Sequence, residues 1–445
     1  FDAAQVNEAL LACELNTDGR CGQTNNVLDD ATVPPECASP ITFFSDDFES
    51  PSLQWAVSNS APPTPYDWVQ AGALPYGRAG QAAYCEDRWV GDCGAQDESG
   101  SHSMTSPTIT IPASASHPVL AFTHYLGSEG AFDGGRVEIA VNSPTFVAVP
   151  RGAFEFNPYT SRLRASGTSP LAGQDAWCGQ GGRWGRSIID LSGLGVIGQD
   201  IRIRFVFAKD GCTGGPGWYV DDVAVYDCTD CNNNDIADVR EYRYRTSSDF
   251  VTNIGTGQNP TVTLNNVPDA DGSVTIEALA NADVSAADEY VEVFVNNTLM
   301  GRLFEVGFTD CPTTPARNAL VVSAAAWNAA VDLGAGGNTA AIRFTGTAAM
   351  NGAACNGSFL GAHVRYNRTG ASADLNANLV PDTCDCPRAD CRADFNCSGG
   401  APTVQDIFDF LAAYFAGNAS ADFNSAGGIT VQDIFDFLAA YFGGC

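Results

Sequence analysis

The run TVQDIFDFLAAYF occupies 403–415 and returns, without a changed letter, at 430–442. In the first copy Ile407, Leu411, Tyr414 and Phe415 fall at helical spacing as an apolar stripe, with Asp406 and Asp409 on the polar side. A single helix of this length is marginal in water. Two identical ones can bury their stripes against each other, so the repetition predicts a paired helical module with pseudo-twofold symmetry. The duplication requires a pair; it leaves open whether the pair docks onto anything else.

An acidic loop precedes each copy. ADFNSAGGI places Asp422, Asn424, the Gly428 carbonyl, Thr430 and Asp433 at positions 1, 3, 7, 9 and 12, with Ala426 at position 5. ADFNCSGGAP places Asp394, Asn396 and Ser398 in the same order, and one extra residue delays Asp406 to position 13. Two further segments follow this spacing more fully. DCNNNDIADVRE supplies Asp230, Asn232, Asn234, the Ile236 carbonyl, Asp238 and Glu241. DLNANLVPDTCD supplies Asp374, Asn376, Asn378, the Val380 carbonyl, Asp382 and Asp385. A twelve-residue loop with oxygens at positions 1, 3, 5, 7, 9 and 12 can wrap one calcium ion. Calcium is therefore the expected cofactor, against the alternative of Asx-rich turns without metal.

Composition points the same way. The chain has 52 acidic and 22 basic residues, only one of them a lysine, Lys209. Such a balance excludes phosphate-backbone binding and suits a protein that recruits cations. No apolar run approaches the ~20 residues of a membrane helix, so neither nucleic acid nor membrane insertion is expected. Sixteen cysteines predict disulfides and an oxidising, extracellular or cell-surface location. Expected bridges are Cys85–Cys93, Cys178–Cys212 and Cys311–Cys355, each closing a loop inside one domain, and Cys397–Cys445 as a clasp on the repeat pair. Phe1 in place of Met reads as a mature chain after signal-peptide removal.

Between the ends the pattern is β. RVEIAV (136–141) and DIRIRFVFA (200–208) alternate apolar and polar residues, as do SVTIEALA, EYVEVFVN and AAIRFTG farther on. The expected fold class is mainly β: two jelly-roll-like sandwiches, 40–228 and 249–370, joined by calcium-loop linkers at 229–248 and 371–390. A helical module at 391–445 closes the chain, and a helix-bearing, cysteine-containing segment at 1–39 opens it. That first segment, with Val6, Leu10 and Cys13 on one side of its helix, is too small to own a core and must dock, within its chain or onto a neighbour.

The paired loop–helix repeats resemble a dockerin of the type ending in Gly-Cys, as Gly444-Cys445 does here. That resemblance implies a cohesin-like scaffold as partner. DCNNN and DLNAN are similar to the calcium repeats of thrombospondin type 3. DDFES (46–50), DGGRVEIAV (133–141) and GWYVDDVAVYDC (217–228) resemble the jelly rolls grouped with MAM domains and with accessory domains of secreted metalloproteases. Such modules often hold calcium where the first and last strands meet, which implies Asp47, Glu49 and Asp222 as ligands.

No HExxH, GxSxG elbow, Walker loop or dinucleotide fingerprint occurs in the sequence. His102, His117, His124 and His363 are scattered through β regions and read as packing or surface residues. Trp55, Trp68, Trp89, Trp177, Trp184 and Trp218 can stack on sugar rings or fill a sandwich core. The sequence thus predicts a non-catalytic extracellular structural or adhesive protein that self-assembles or docks on a scaffold. The alternative is a carbohydrate-binding protein anchored through its repeat module.

Overall fold

Alternation along the strands sorts the residues as expected. In the strand Asp200–Lys209, Ile201, Ile203, Phe205 and Phe207 are buried while Arg202 and Arg204 stay half-buried on the other face. The computed structural model describes residues 37, 40–60, 67–87, 99–179, 184–211, 213–230, 234, 236–355, 357–368, 381, 393–396, 402–417, 421–424 and 428–443. One compact unit holds the described parts of 41–227 and 244–367, and a second holds those of 35–40, 228–243 and 368–445. The helix expected in 1–39 and every ligand of the calcium loop expected at 374–385 lie outside the described residues.

The first sandwich pairs two antiparallel sheets. Its seven-stranded sheet runs Phe154–Phe156, Gly185–Asp190, Pro118–Gly127, Gly215–Asp227, Ala82–Asp87, Val69–Ala71, with Ile41–Asp46 also paired to Gly215–Asp227. The six-stranded sheet runs Ala56–Asn59, Gly100–Thr105, Asp200–Lys209, Gly134–Val141, Val147–Ala148, and Ile109–Thr110 joins Asp200–Lys209. Between them Phe122 meets Phe205 edge-on at 4.9 Å, and Trp177 and Trp218 sit 6.0 Å apart. Gly135 is required here, because a Cβ would come within 2.6 Å of the Trp218 ring. Trp55, Trp68, Trp177 and Trp218 are core residues, which removes them as sugar platforms.

The second sandwich is smaller. One sheet runs Arg243–Ser247, Phe359–Asn367, Val274–Asn281, Ala316–Val322, with Val251–Thr252 on Phe359–Asn367. The other runs Thr261–Leu264, Ala340–Gly346, Val291–Val295, Thr298–Leu303. Arg243–Ser247, placed in a linker by the sequence reading, is thus a strand of this domain. A helix, Ala324–Val331, also interrupts the expected β stretch. The Ser323 hydroxyl caps it by accepting the Ala326 amide, and Trp327 anchors it in the core.

Charged side chains join the two sandwiches inside the first unit. The buried guanidinium of Arg151 donates to the Tyr159 carbonyl at 2.9 Å, to the Ala362 carbonyl at 2.9 Å and to the Ser248 carbonyl, and lies 4.7 Å over the Phe250 ring. Glu277, on the strand Val274–Asn281, is buried between Arg317 and Arg365. Burial opposes its charge, but the two guanidinium groups outweigh it and hold the carboxyl at about 2.

Candidate functional site

The repeat module is built on phenylalanines. Helices Val404–Ala416 and Val431–Gly443 bring Phe410 and Phe437 face to face, with centroids 4.2 Å apart and planes within 2°. Phe395, from the first loop, meets Phe410 edge-on at 5.3 Å, and Phe423, from the second, meets Phe437 at 5.5 Å. The crossed contacts Phe395–Phe437 and Phe410–Phe423 match as well, at 6.0 and 6.1 Å. The expected pseudo-twofold pairing is therefore present, with a different seam. Phe415, assigned to the buried stripe from sequence, is 80 % exposed, and Phe410 takes the central place.

Asp406 and Asp433 are buried rather than on the polar side. Asp406 Oδ2 accepts the Thr403 amide at 2.7 Å and hydroxyl at 2.9 Å, while Oδ1 accepts the Asn396 amide at 3.1 Å. Asp433 repeats this on Thr430, at 2.8 and 3.0 Å, and on Asn424 at 3.1 Å. Each aspartate closes a capping box at the start of its helix. Burial works against the Asp406 charge, and these donors overcome it, so its carboxyl sits below the usual range. The extra residue in the first loop changes nothing at this point. Asn396 and Asn424 donate to Asp409 and Asp436, each at 2.8 Å, and the Gly428 amide donates to Asp422 at 3.0 Å. Asp394 stands two residues before Asn396 in its loop; Ser398, Cys397 and Cys445 lie outside the described residues.

The described residues of 230–241 are tied to one another by hydrogen bonds. Asp230 Oδ1 accepts the Asn234 amide at 3.1 Å, and the Asn234 side chain donates to Glu241 Oε1 at 2.9 Å while accepting the Ile236 amide at 2.9 Å. Asp238 begins a short 3-10 turn and accepts the Thr229 hydroxyl at 3.0 Å. Glu241 is fully buried. Asp230, Asn234 and Glu241 are thus linked through hydrogen bonds, with Asp238 anchored beside them; Asn232 lies outside the described residues.

At the rim of the first sandwich the implied calcium ligands are engaged separately. Asp47 Oδ1 accepts the Glu49 amide at 3.2 Å, Glu49 Oε1 accepts the Gln81 amide at 2.7 Å, and Asp222 is paired with Arg78. Among the described residues two other carboxylate groups gather: Glu129, Asp133 and Asp210, and Asp283, Glu289 and Asp310. Neither was read from sequence, because each draws on loops distant in the chain.

Cys311 and Cys355 form the expected bridge, with Cα atoms 5.1 Å apart. Cys37 pairs with Cys228 across 191 residues, a bridge that no local rule indicates. Cys178 is a buried free thiol, which corrects the expected bridge to Cys212; Cys212 and Cys93, the expected partner of Cys85, lie outside the described residues. His124 is fully buried, and burial lowers it to about 3, so it is a neutral core residue bonded to Ser187 and Trp218. His363 is lowered to about 3 for the same reason. No described helix is long and apolar enough to cross a membrane.

No family model and no curated protein matches the chain. Solved structures do, at low similarity. The K1 cleaved adhesin domain of Lys-gingipain from Porphyromonas gingivalis W83 is 14 % identical with a TM-score of 0.25, covering 41 % of this chain and 96 % of its own. A carbohydrate-binding module described as recognising mannan is 14 % identical with a TM-score of 0.22, covering 43 % of this chain and 100 % of its own. PNGase F, a glycosylasparaginase from Flavobacterium meningosepticum, is 12 % identical with a TM-score of 0.28, covering 63 % of this chain and 94 % of its own. The expectation of a non-catalytic chain is corrected by this last match: an enzyme stands among the structural neighbours. Similarity of this size assigns no activity.

Proposed function

We propose that the chain is an extracellular adhesive or structural protein that assembles with further copies of itself through its repeat helices. The observation that carries this reading is a second apolar face on each helix. Val404, Phe408 and Phe415 fall on one stripe pointing away from the Phe410–Phe437 seam, and Val431, Phe435 and Phe442 repeat it. Phe408 and Phe435 are each 61 % exposed, and Phe415 and Phe442 are 80 % and 79 % exposed. Large exposed apolar groups in register are the mark of an interaction surface. A self-complementary patch carried once yields a closed dimer; carried twice on one module, it joins each copy to two neighbours and extends the assembly.

Calcium fits the loops that support this module and the segment 230–241. Asp230, Asn234, Asp238 and Glu241 would hold one ion, and Asp394, Asn396 and Asp406 with Asp422, Asn424 and Asp433 would hold others. The ion supplies charge neutralisation to carboxylates that otherwise repel one another. The disulfides suit secretion. A cohesin-like scaffold is the competing occupant of the helix faces.

Sedimentation velocity on the full chain, with calcium and with chelator, tests the reading. Self-association that requires calcium and disappears in a Phe408→Ala/Phe435→Ala variant is the expected result. A chain that stays monomeric in calcium at all accessible concentrations refutes self-assembly and leaves the faces to a scaffold.

A further inference from the structure

The outer face of the seven-stranded sheet carries an aromatic row. Antiparallel register sets Tyr84 opposite Tyr219, Tyr219 opposite Tyr125, and Gly185 opposite His124, which brings Trp184 beside Tyr125. Tyr84 stacks on Tyr219 at 4.2 Å, Tyr219 lies 6.0 Å from Tyr125, and Tyr125 lies 6.3 Å from Trp184. Trp218 and Val220 point into the core, so Tyr219 between them lies on the opposite side of the sheet, where it, Tyr125 and Trp184 are buried in a second, smaller cluster. Four strands at ~4.8 Å spacing make the row roughly 15 Å long.

The turn Pro75–Gly77 is laid over this row. Trp184 Nε1 donates to the Pro75 carbonyl at 2.9 Å, the Tyr76 ring stands edge-on to Tyr125 at 5.5 Å, and the Arg78 guanidinium sits 4.7 Å over Trp184. Tyr76 has φ 55°, a left-handed conformation that is unfavourable for a bulky residue. Its side chain is nevertheless 63 % exposed. The fold thus holds a tyrosine in an unfavourable conformation without burying it. Beside it Arg78 pairs with Asp221 at 2.7 Å and with Asp222, whose side chain is 46 % exposed.

We propose that the turn laid over this buried row binds a neutral hexose polymer, with Tyr76 stacking on a sugar ring and Arg78 and Asp222 bonding its hydroxyls. A sugar ring has an apolar C–H face and a polar rim. An exposed aromatic beside an oriented guanidinium–carboxylate pair matches both. The polymer is neutral because a chain of formal charge −30, with Asp221 and Asp222 at the site, repels a polyanion. The site is on the first sandwich and does not rest on self-assembly through the repeat helices, so the two readings fail separately.

Affinity electrophoresis of the full chain in gels containing hydroxyethyl cellulose, galactomannan or a β-1,3-glucan tests this, with polygalacturonate as the anionic control. Retardation is expected in at least one neutral gel. Tyr76→Ala should weaken it by about tenfold or more, Asp222→Asn should weaken it less, and Val147→Ala, an exposed residue of the other sheet, should leave it unchanged. An unaltered melting temperature in Tyr76→Ala shows that the fold is kept. No retardation in any neutral gel, retardation in polygalacturonate alone, or full retardation of Tyr76→Ala overturns the proposal.

Discussion

Replacing Glu277 with glutamine keeps the side chain's shape and removes the one anion that Arg317 and Arg365 share. Their side chains are only 13 % and 14 % exposed, so the variant leaves two guanidinium groups half-desolvated around a neutral amide. Breaking a buried ion pair from one side costs about 3–5 kcal/mol. The pH dependence gives an independent figure. Burial raises the Glu277 carboxyl and the arginines lower it further, from 4.5 to about 2. A folded pKa below the unfolded one stabilises above the unfolded value, and that contribution is lost as pH falls from about 4.5 towards 2. The shift corresponds to about 3 kcal/mol. His363 does not add to it at neutral pH, since burial keeps its ring uncharged. Hydrogen exchange of the strand Val274–Asn281 reads the local stability without assuming that the whole chain unfolds at once. Protection should drop by about 3 kcal/mol in Glu277→Gln at pH 7, and the variant should lose most of the wild type's extra acid sensitivity between pH 4.5 and 2. A change under about 0.5 kcal/mol at pH 7 would refute the argument, because it would mean that the arginines need no anion.

Phe410→Ala should destabilise the repeat module by about 3–5 kcal/mol through the cavity left opposite Phe437, whereas Phe408→Ala should leave its melting unchanged; circular dichroism of the helical signal separates the two. Cys311→Ser should cost about 2–4 kcal/mol by opening the bridge to Cys355, seen as a lower denaturant midpoint for the second sandwich. Burial, and then the neighbouring Asp87, raise the Asp133 carboxyl well above the usual range. Its folded form therefore keeps a proton that the unfolded chain has released. Stability from this group falls as pH rises above ~4, so Asp133→Asn should flatten the pH dependence of melting on the alkaline side.

What could be read from sequence divides by how far apart the deciding residues lie. Strands such as Gly134–Val141 and Asp200–Lys209 declare themselves through period-two alternation, which is local. The helix Ala324–Val331 does not, because AAAWNAAV is apolar almost all round and shows no period. The identical helices show the limit inside one element. Phe408 and Phe415 lie on one side of the helix and Phe410 on the other, and only the partner helix decides that the Phe410 side goes inward. Asp406 illustrates the same point for chemistry. Its spacing from Asp394 suggests a ligand, and the structure adds a capping box that the inserted loop residue does not disturb. Cys37 finds Cys228 at the far end of a whole sandwich. The row from Tyr84 to Trp184 is assembled by four strands whose order in the sheet is not their order in the chain. Each tyrosine is by itself an ordinary strand residue. Register makes them one packed row beneath Tyr76, and register is set by pairings between residues far apart in the chain, such as Tyr84 with Tyr219, 135 residues on. A site of this kind is written in the sheet topology rather than in any motif, so a residue-spacing search finds the loops at 230–241 and passes over Tyr76.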